Sequence, residues 1–303
     1  MFPVLFETIQ RDSLISFPGL GNFFLNPPSY FTVFGRNIYF YGVLIAIGFI
    51  FALFFCSHRS REFGIEPDDF SDLMLLLIPM AILGARLYFV LFRLDEYLQQ
   101  PAKIIAVWEG GLAIYGGILF GILSILIVCR RKKIPFPAML DLAILGLLPG
   151  QILGRWGNFL NREAFGAETE IFCRMGLTAP DGTTIFVHPT FLYESLWNLI
   201  GFVFLLIFLR KGRRKYDGQL ALIYFFWYGL GRAWIEGLRT DSLYIGSSNI
   251  RVSQVLSIAL AAISLVILLV QSRRPHGPEA LFVNRVNGKA ADDPSEQSPE
   301  TTT

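Results

Sequence analysis

The sequence predicts an all-α polytopic membrane protein, with seven transmembrane helices and a small outer-face head between helices 4 and 5. Three observations carry this. Hydrophobic residues make up 53% of the chain and charged ones 17%, with a mean hydropathy of +0.50, outside the balance of soluble domains. Seven long apolar runs stand where a soluble fold would show amphipathic stripes. Basic residues gather in every second loop between those runs.

The runs cover roughly residues 38–56, 73–92, 112–128, 135–153, 191–209, 220–238 and 252–270. Each is close to the ~20 residues that cross ~30 Å of hydrocarbon. Arg59 and Arg61 follow the first run, and Arg130, Arg131, Lys132 and Lys133 the third. Arg210, Lys211, Arg213, Arg214 and Lys215 follow the fifth, Arg273 and Arg274 the seventh. The other loops hold scattered cations only: Arg93, Lys103, Arg162, Arg174, Arg239 and Arg251. Basic loops stay cytoplasmic, so the N-terminus is expected outside and the C-terminus inside.

Residues 1–37, rich in Phe, Pro and Gly, are expected to lie along the outer interface. They lack the basic start and small-residue cleavage pattern of a removable signal. Residues 38–271 form the expected seven-helix membrane domain. Residues 272–303 are expected to form a disordered cytoplasmic tail, on the polar character of stretches such as Asp292-Asp293-Pro294-Ser295-Glu296. The loop 156–190 is the longest on the outer side. Its Asp181-Gly182, between Thr178 and Ile185-Phe186-Val187, has the chemistry of a hairpin turn. Cys56, Cys129 and Cys173 have no CxxC spacing, so neither a disulfide framework nor a metal or cofactor is expected.

Candidate functional residues cluster at the outer ends of the runs. Gly154 to Glu163, reading GRWGNFLNRE, delivers two cations, two carboxamides, a carboxylate and two glycines to the water edge of the fourth helix. Arginine offers five fixed donors suited to phosphate, and asparagine both donors and acceptors, which suits a phospholipid head group. Tyr228, Arg232, Glu236 and Arg239, spaced by four, four and three, share one helical face. Ionisable groups inside a span mark a functional interior by default, although a structural ion pair would use the same spacing. Alone, Arg86 would snorkel, the paired glycines Gly110-Gly111 and Gly116-Gly117 would serve tight packing, and Tyr41 would be an aromatic-belt residue. His188, before Pro189 at the start of the fifth run, reads as a loop or cap residue. Together, Tyr41, Arg86, Tyr115, Arg155, Asn158, Glu163, His188, Arg232, Glu236 and Arg239 all fall in the outer half. Structural ion pairs would scatter through both halves.

From Tyr39 to Leu260 the chain resembles the prolipoprotein diacylglyceryl transferases. Gly154-Arg155-Trp156-Gly157-Asn158-Phe159-Leu160-Asn161-Arg162-Glu163-Ala164-Phe165-Gly166 is similar to that family's G-R-x-G-N-F-x-N-x-E-x-x-G signature. Tyr41-Gly42, Gly84-Ala85-Arg86, Gly110-Gly111, His188-Pro189 with Leu192-Tyr193-Glu194, Tyr228-Gly229, Arg232, Glu236 and Ser253-Gln254 agree with it. The resemblance implies seven helices, an outer-facing site and phosphatidylglycerol as donor. It also implies transfer of diacylglycerol to the lipobox cysteine in preprolipoprotein signal peptides, with release of glycerol phosphate. One departure is Tyr115, where many members carry a histidine, so that base is not carried over.

The residues suit such chemistry. A thiol displacing a phosphate ester at carbon leaves a phosphate of increased charge, which preorganised arginines stabilise. Arg155 and Arg232 are assigned to the phosphate, with Glu236 and Tyr228 orienting Arg232. Asn158 and Glu163 are assigned to glycerol hydroxyls or to the acceptor, with Tyr41, Arg86 and Arg239 in the lipid site. Tyr115 is a hydrogen-bond donor to the lipid. A phospholipid transporter or flippase is the alternative. It would favour internal repeats and midplane charges, neither of which is evident. A seven-helix receptor is weaker, and no nucleic-acid partner is expected.

Overall fold

The computed structural model describes residues 13–21, 23–242, 244 and 250–291. Its helices are α1 (Phe40–Arg59), α2 (Pro67–Leu91), the short α3 (Leu94–Gln99), α4 (Ile114–Lys132), α5 (Phe136–Asn161), α6 (Thr190–Arg210), α7 (Gln219–Glu236), α8 (Val252–Ser272) and α9 (Phe282–Ala291). Among the described residues six helices are long and apolar enough to cross a membrane: α1, α2, α4, α5, α6 and α8. The predicted sixth run forms α7, 18 residues long, which is not among those six. The chain is a multi-pass membrane protein, mostly helical, with a small sheet region in addition.

Sequence and local chemistry explain the helix ends. Pro67 opens α2 with Asp68 and Asp69 in the first turn, where its fixed φ and their charges suit the helix start. Arg130, Arg131 and Lys132 close α4, complementing the negative end of the dipole. Pro79 and Pro149 sit inside α2 and α5, tolerated in spans because neighbouring helices can re-satisfy the freed carbonyls.

By contacts the chain divides into two compact units, residues 1–52, 144–214 and 219–275, and residues 53–143, 215–218 and 276–303. In the first, α7 packs against α6 and α8. Gly229 makes the α7–α8 approach possible, since a Cβ there would lie 2.6 Å from the Ser257 carbonyl oxygen. Small residues let helices close on each other where lipid supplies no hydrophobic drive. This unit also holds the strands. A four-stranded antiparallel sheet runs in the order β2 (Phe24–Leu25), β1 (Leu14–Ser16), β5 (Met175–Thr178), β6 (Thr184–Val187), with Ile15 opposite both Leu25 and Leu177. The β5–β6 turn uses Asp181-Gly182 as the sequence suggests: Gly182 takes φ +87° and Asp181 accepts the Thr183 N–H at 2.9 Å. Ile15, Met175, Leu177 and Val187 bury against Phe159 and Phe191, so the sheet is built onto the end of α5 and the start of α6.

A separate hairpin, β3 (Tyr30–Val33) and β4 (Arg36–Tyr39), leads directly into α1. Its two-residue turn places Phe34 at φ +48° and Gly35 at +74°, the positive φ pair of a type I′ turn. Glycine takes this freely. A phenylalanine there costs about 1–2 kcal/mol.

In the second unit α2 packs on α4 through Gly84 and Gly116, where a Cβ on Gly84 would lie 2.5 Å from the Gly116 carbonyl oxygen. The tail expected to be disordered from residue 272 differs from expectation: it holds a turn, Pro278–Ala280, and the helix α9. The cause is a clamp made by loop residues Tyr216 and Asp217. Asp217 donates its N–H to the Ala280 carbonyl at 3.1 Å, and its carboxylate accepts the Phe282 N–H at 3.0 Å and Arg285 at 2.9 Å. Tyr216 stacks on His276 with centroids 4.5 Å apart. The acidic Asp292–Glu300 stretch lies outside the described residues.

Candidate functional site

The predicted motif occupies the last turns of α5, and its end is set by backbone geometry. Arg162 and Ala164 take φ +52° and +57°, which stops the helix and folds Glu163 back beneath it. Glu163 then accepts Asn158 Nδ2 at 2.8 Å and Asn161 Nδ2 at 3.2 Å. Arg162, cationic and within the motif, is fully buried and faces the N-terminal segment. It donates to the Ser13 and Pro27 carbonyls and to Asn26 Oδ1 at 2.8–3.0 Å. Its role is to hold the strands in place.

Arg155 meets α6 and α7 at one carboxylate, Glu194. Arg155 NH2 lies 2.6 Å from Glu194 Oε2, while Arg232 NH1 and Arg239 NH1 approach Oε1 at 3.0 and 3.4 Å. Arg232 NH2 also pairs with Glu236 Oε2 at 2.5 Å, the expected i, i+4 pair. Arg239 is gripped at two points by Asp241, at 2.8 and 2.6 Å. Burial works against the charged form of Asp241, but this fork and the Arg239 charge hold its carboxyl below the usual carboxylate range. Three arginines thus face three carboxylates, and Glu194 and Glu236 are buried. Removing one member of such a set leaves a charge with no partner in a water-poor place.

Exposure separates the arginines. Side-chain exposure is 22% for Arg155, 15% for Arg232 and 10% for Arg239. Arg155 spends one donor on Glu194 and one on Asn158 Oδ1 at 3.2 Å. Its three remaining N–H donors contact nothing else among the described residues. They are the open part of the cluster.

Several contacts fix this geometry. Trp156 Nε1 donates to Ser195 Oγ at 3.1 Å, pinning α5 to α6 beside the Arg155–Glu194 pair. The Tyr41 ring lies over Gly157, where any Cβ would come within 2.5 Å of it. Tyr41 therefore packs on the motif itself, and glycine is required there. Tyr228, one turn below Arg232, stacks on Tyr224 with centroids 5.6 Å apart, and Gln151 donates to the Tyr224 hydroxyl. The open end of α7 is closed by Arg251, which donates to the Glu236 and Arg239 carbonyls at 2.7 and 3.2 Å, and by Gln254, which donates to Ala233 at 2.8 Å.

His188 joins a different set. Its Nδ1 lies 3.3 Å from the Tyr193 hydroxyl, which in turn lies 3.6 Å from Cys173 Sγ. Burial lowers the His188 pKa, so the ring is neutral at pH 7.

Arg86 and Tyr115 belong to the second unit. Snorkelling does not describe Arg86: it is buried, and four N–H donors go to the carbonyls of Ile104, Gly110, Gly111 and Lys103. Gly111, at φ +71°, makes room for it, since a Cβ there would lie 2.5 Å from Arg86 NH1 and 2.8 Å from the Phe89 ring. Tyr115 opens α4, with its ring centroid 6.4 Å from that of Tyr88.

Two members of the charge cluster were given no site role from the sequence, Glu194 being named only within the family-like stretch Leu192-Tyr193-Glu194. Glu194 carried a signal, as a lone carboxylate four residues into an apolar run. Asp241 follows Arg239 by two residues and had none.

Residues 28–270 match the profile described as prolipoprotein diacylglyceryl transferase. The chain belongs to the prolipoprotein diacylglyceryl transferase family. Relatives named phosphatidylglycerol–prolipoprotein diacylglyceryl transferase occur in Bacillus cereus (strain G9842), Bacillus thuringiensis subsp. konkukian (strain 97-27) and Bacillus anthracis. Each is 40% identical over 243 residues, covering 78% of this chain and 88% of the relative. The family match spans α1 to nearly the end of α8, and so includes every member of the arginine–carboxylate cluster.

Proposed function

We propose that this transferase moves the diacylglyceryl group of phosphatidylglycerol onto the lipobox cysteine thiol of prolipoproteins. The C–S thioether bond forms as the C–O bond to phosphate breaks. The electron pair leaves with glycerol phosphate, and the thiol proton is released. The observation that carries the reading is the junction at Glu194, with three free donors on Arg155, inside a chain of this family.

The departing phosphate changes from a singly charged diester to a more highly charged monoester. Arginines already fixed by Glu194, Glu236 and Asp241 need no reorientation as that charge grows, which is the condition for electrostatic catalysis. Arg155 takes the phosphate through its open donors, and Arg232 supports it. Glu236 orients Arg232, with Tyr228 one turn deeper. Asn158 and Glu163 hold glycerol hydroxyls. Tyr41 and Arg239 complete the lipid site. Arg86 acts by holding the 103–111 segment, and Tyr115 donates a hydrogen bond to the lipid. Nothing observed favours the transport alternative.

This reading takes α7 as a seventh span in a bacterial cytoplasmic membrane. Residues 1–37 and the four-stranded sheet lie outside, and the tail lies inside. An engineered cysteine at Thr183 should react with impermeant thiol reagents in intact cells while one at Lys132 resists, and reversed labelling would overturn the orientation. The reaction itself is tested with purified protein, phosphatidylglycerol and a lipobox peptide. Diacylglyceryl thioether and free glycerol phosphate in equal amounts are expected, and the absence of both would overturn it.

A further inference from the structure

We infer that the β3–β4 hairpin is a membrane-seated element that dips its turn, led by Phe34, into the outer leaflet beside the site. Two-residue turns of this hand are usually made from Asn, Asp or Gly, which accept positive φ at little cost. This chain instead places a fully exposed phenylalanine at φ +48°. A bulky residue held there marks a position kept for a purpose other than the turn.

The strands are two-faced. Phe31 pairs with Ile38 and Val33 with Arg36 on one face, while Tyr30 pairs with Tyr39 and Thr32 with Asn37 on the other. On the second face Thr32 Oγ1 donates to Asn37 Oδ1 at 3.0 Å, beside the Tyr30 and Tyr39 rings, which are 42% and 40% exposed and end in hydroxyls. On the apolar side Phe31 and Ile38 are each 39% exposed. A two-stranded hairpin is marginal in water without cover for such a face.

What covers it follows from continuity. β4 ends at Tyr39 and the first span begins at Phe40, whose N–H donates to the Ser29 carbonyl at 3.0 Å. The Phe31 and Phe40 rings stand 5.2 Å apart. The apolar face is thus continuous with the start of the first span, and aromatic rings at span ends settle at the membrane interface. Arg36, beside the turn on that face, is placed to reach lipid phosphates. Two residues into α1, Tyr41 lies on Gly157, so a hairpin anchored in lipid is tied directly to the site helix.

The inference rests on the outward orientation given above, and its test does not depend on catalysis. Full-length Phe34→Trp protein in vesicles of phosphatidylcholine and phosphatidylglycerol is compared with the parent by difference fluorescence. Lipids brominated near the head-group end of the acyl chain should quench the added signal, and aqueous iodide should not. Quenching by iodide without quenching by bromolipid would overturn the proposal, as would protection from both, which places the ring against protein or a second copy. Adding Phe31→Ser and Ile38→Ser to Phe34→Trp should move the ring from bromolipid to iodide access. Transfer activity of Phe34→Trp confirms that the reporter is folded, and failure of the labelling test above would separately sink the orientation.

Discussion

Replacing Glu194 by glutamine tests the centre of the site. The side chain keeps its shape but loses the charge that three arginines share at 2.6, 3.0 and 3.4 Å. One of its two oxygens becomes an NH2 group, a donor facing guanidinium donors. The carboxylate side chain is only 5% exposed, so water does little to screen the loss. Breaking a buried pair by removing one partner costs about 3–5 kcal/mol, and that should appear as a lower thermal midpoint in detergent. The effect on the reaction has a distinct signature. Freed from Glu194, the arginines remain positive and still attract the lipid phosphate, so KM for phosphatidylglycerol should hold or fall. Their orientation is lost, so kcat should drop about 10²–10³-fold, the cost of one misplaced preorganised donor. The assay is thioether formation on a lipobox peptide in mixed micelles, with the mole fraction of phosphatidylglycerol varied. A raised KM at unchanged kcat would refute the positioning role, because Glu194 would then act in binding alone. Unchanged values of both would refute the whole account of the cluster.

Arg155→Lys should lose transfer by about 2.7–4 kcal/mol of transition-state stabilisation, because a point charge cannot serve Glu194, Asn158 and a phosphate together; near-normal turnover at matched expression would make Arg155 an anchor only. Tyr115→Phe should slow transfer through a lost hydrogen bond while leaving the pH–rate profile unchanged, and disappearance of a titrating limb would make the phenol a proton carrier. His188→Gln should retain substantial activity, since the neutral ring touches Tyr193 and not the arginines; complete inactivity of a folded variant would move the base to His188. Asp241, with its pKa depressed in the folded protein, contributes stability that is present above its unfolded value of about 3.9 and is lost as pH falls through the folded value. Asp241→Asn should therefore be less stable than the parent at pH 7 and lose less on acidification, and parallel acid-unfolding curves would refute that contribution.

Much of this was legible where it was local. Apolar runs located the helices, because a span is a continuous stretch of side chains facing lipid. The i, i+4 spacing announced Arg232 and Glu236, and Asp181-Gly182 announced a turn. What stayed hidden depends on distant residues meeting. Glu194 lies 39 residues from Arg155 and 45 from Arg239, and no periodicity encodes that convergence. Arg86 looked like a surface cation because carbonyl partners leave no mark in composition. β1 was invisible because its partner β5 lies far along the chain, and β2 in turn pairs with β1. The clamp on α9 likewise needs Asp217, a residue unremarkable in its own loop.

The bond from Arg162 to the Ser13 carbonyl spans 149 residues, and this sets an order of events during synthesis. At 5–20 residues per second the first strand emerges roughly 7–30 s before the arginine that will fasten it. Through that interval the N-terminal segment has no β5 to pair with, while α1 to α5 are delivered to the bilayer. The arginine cluster closes later still, once α7 has brought Arg232 and Glu236. A ribosome-bound chain halted between α6 and α7 holds Arg155 with Asn158 and Glu194 but lacks Arg232, Glu236 and Arg239, which complete the cluster. The full set of arginines and carboxylates is thus assembled only after Asp241, late in the membrane domain, has been made.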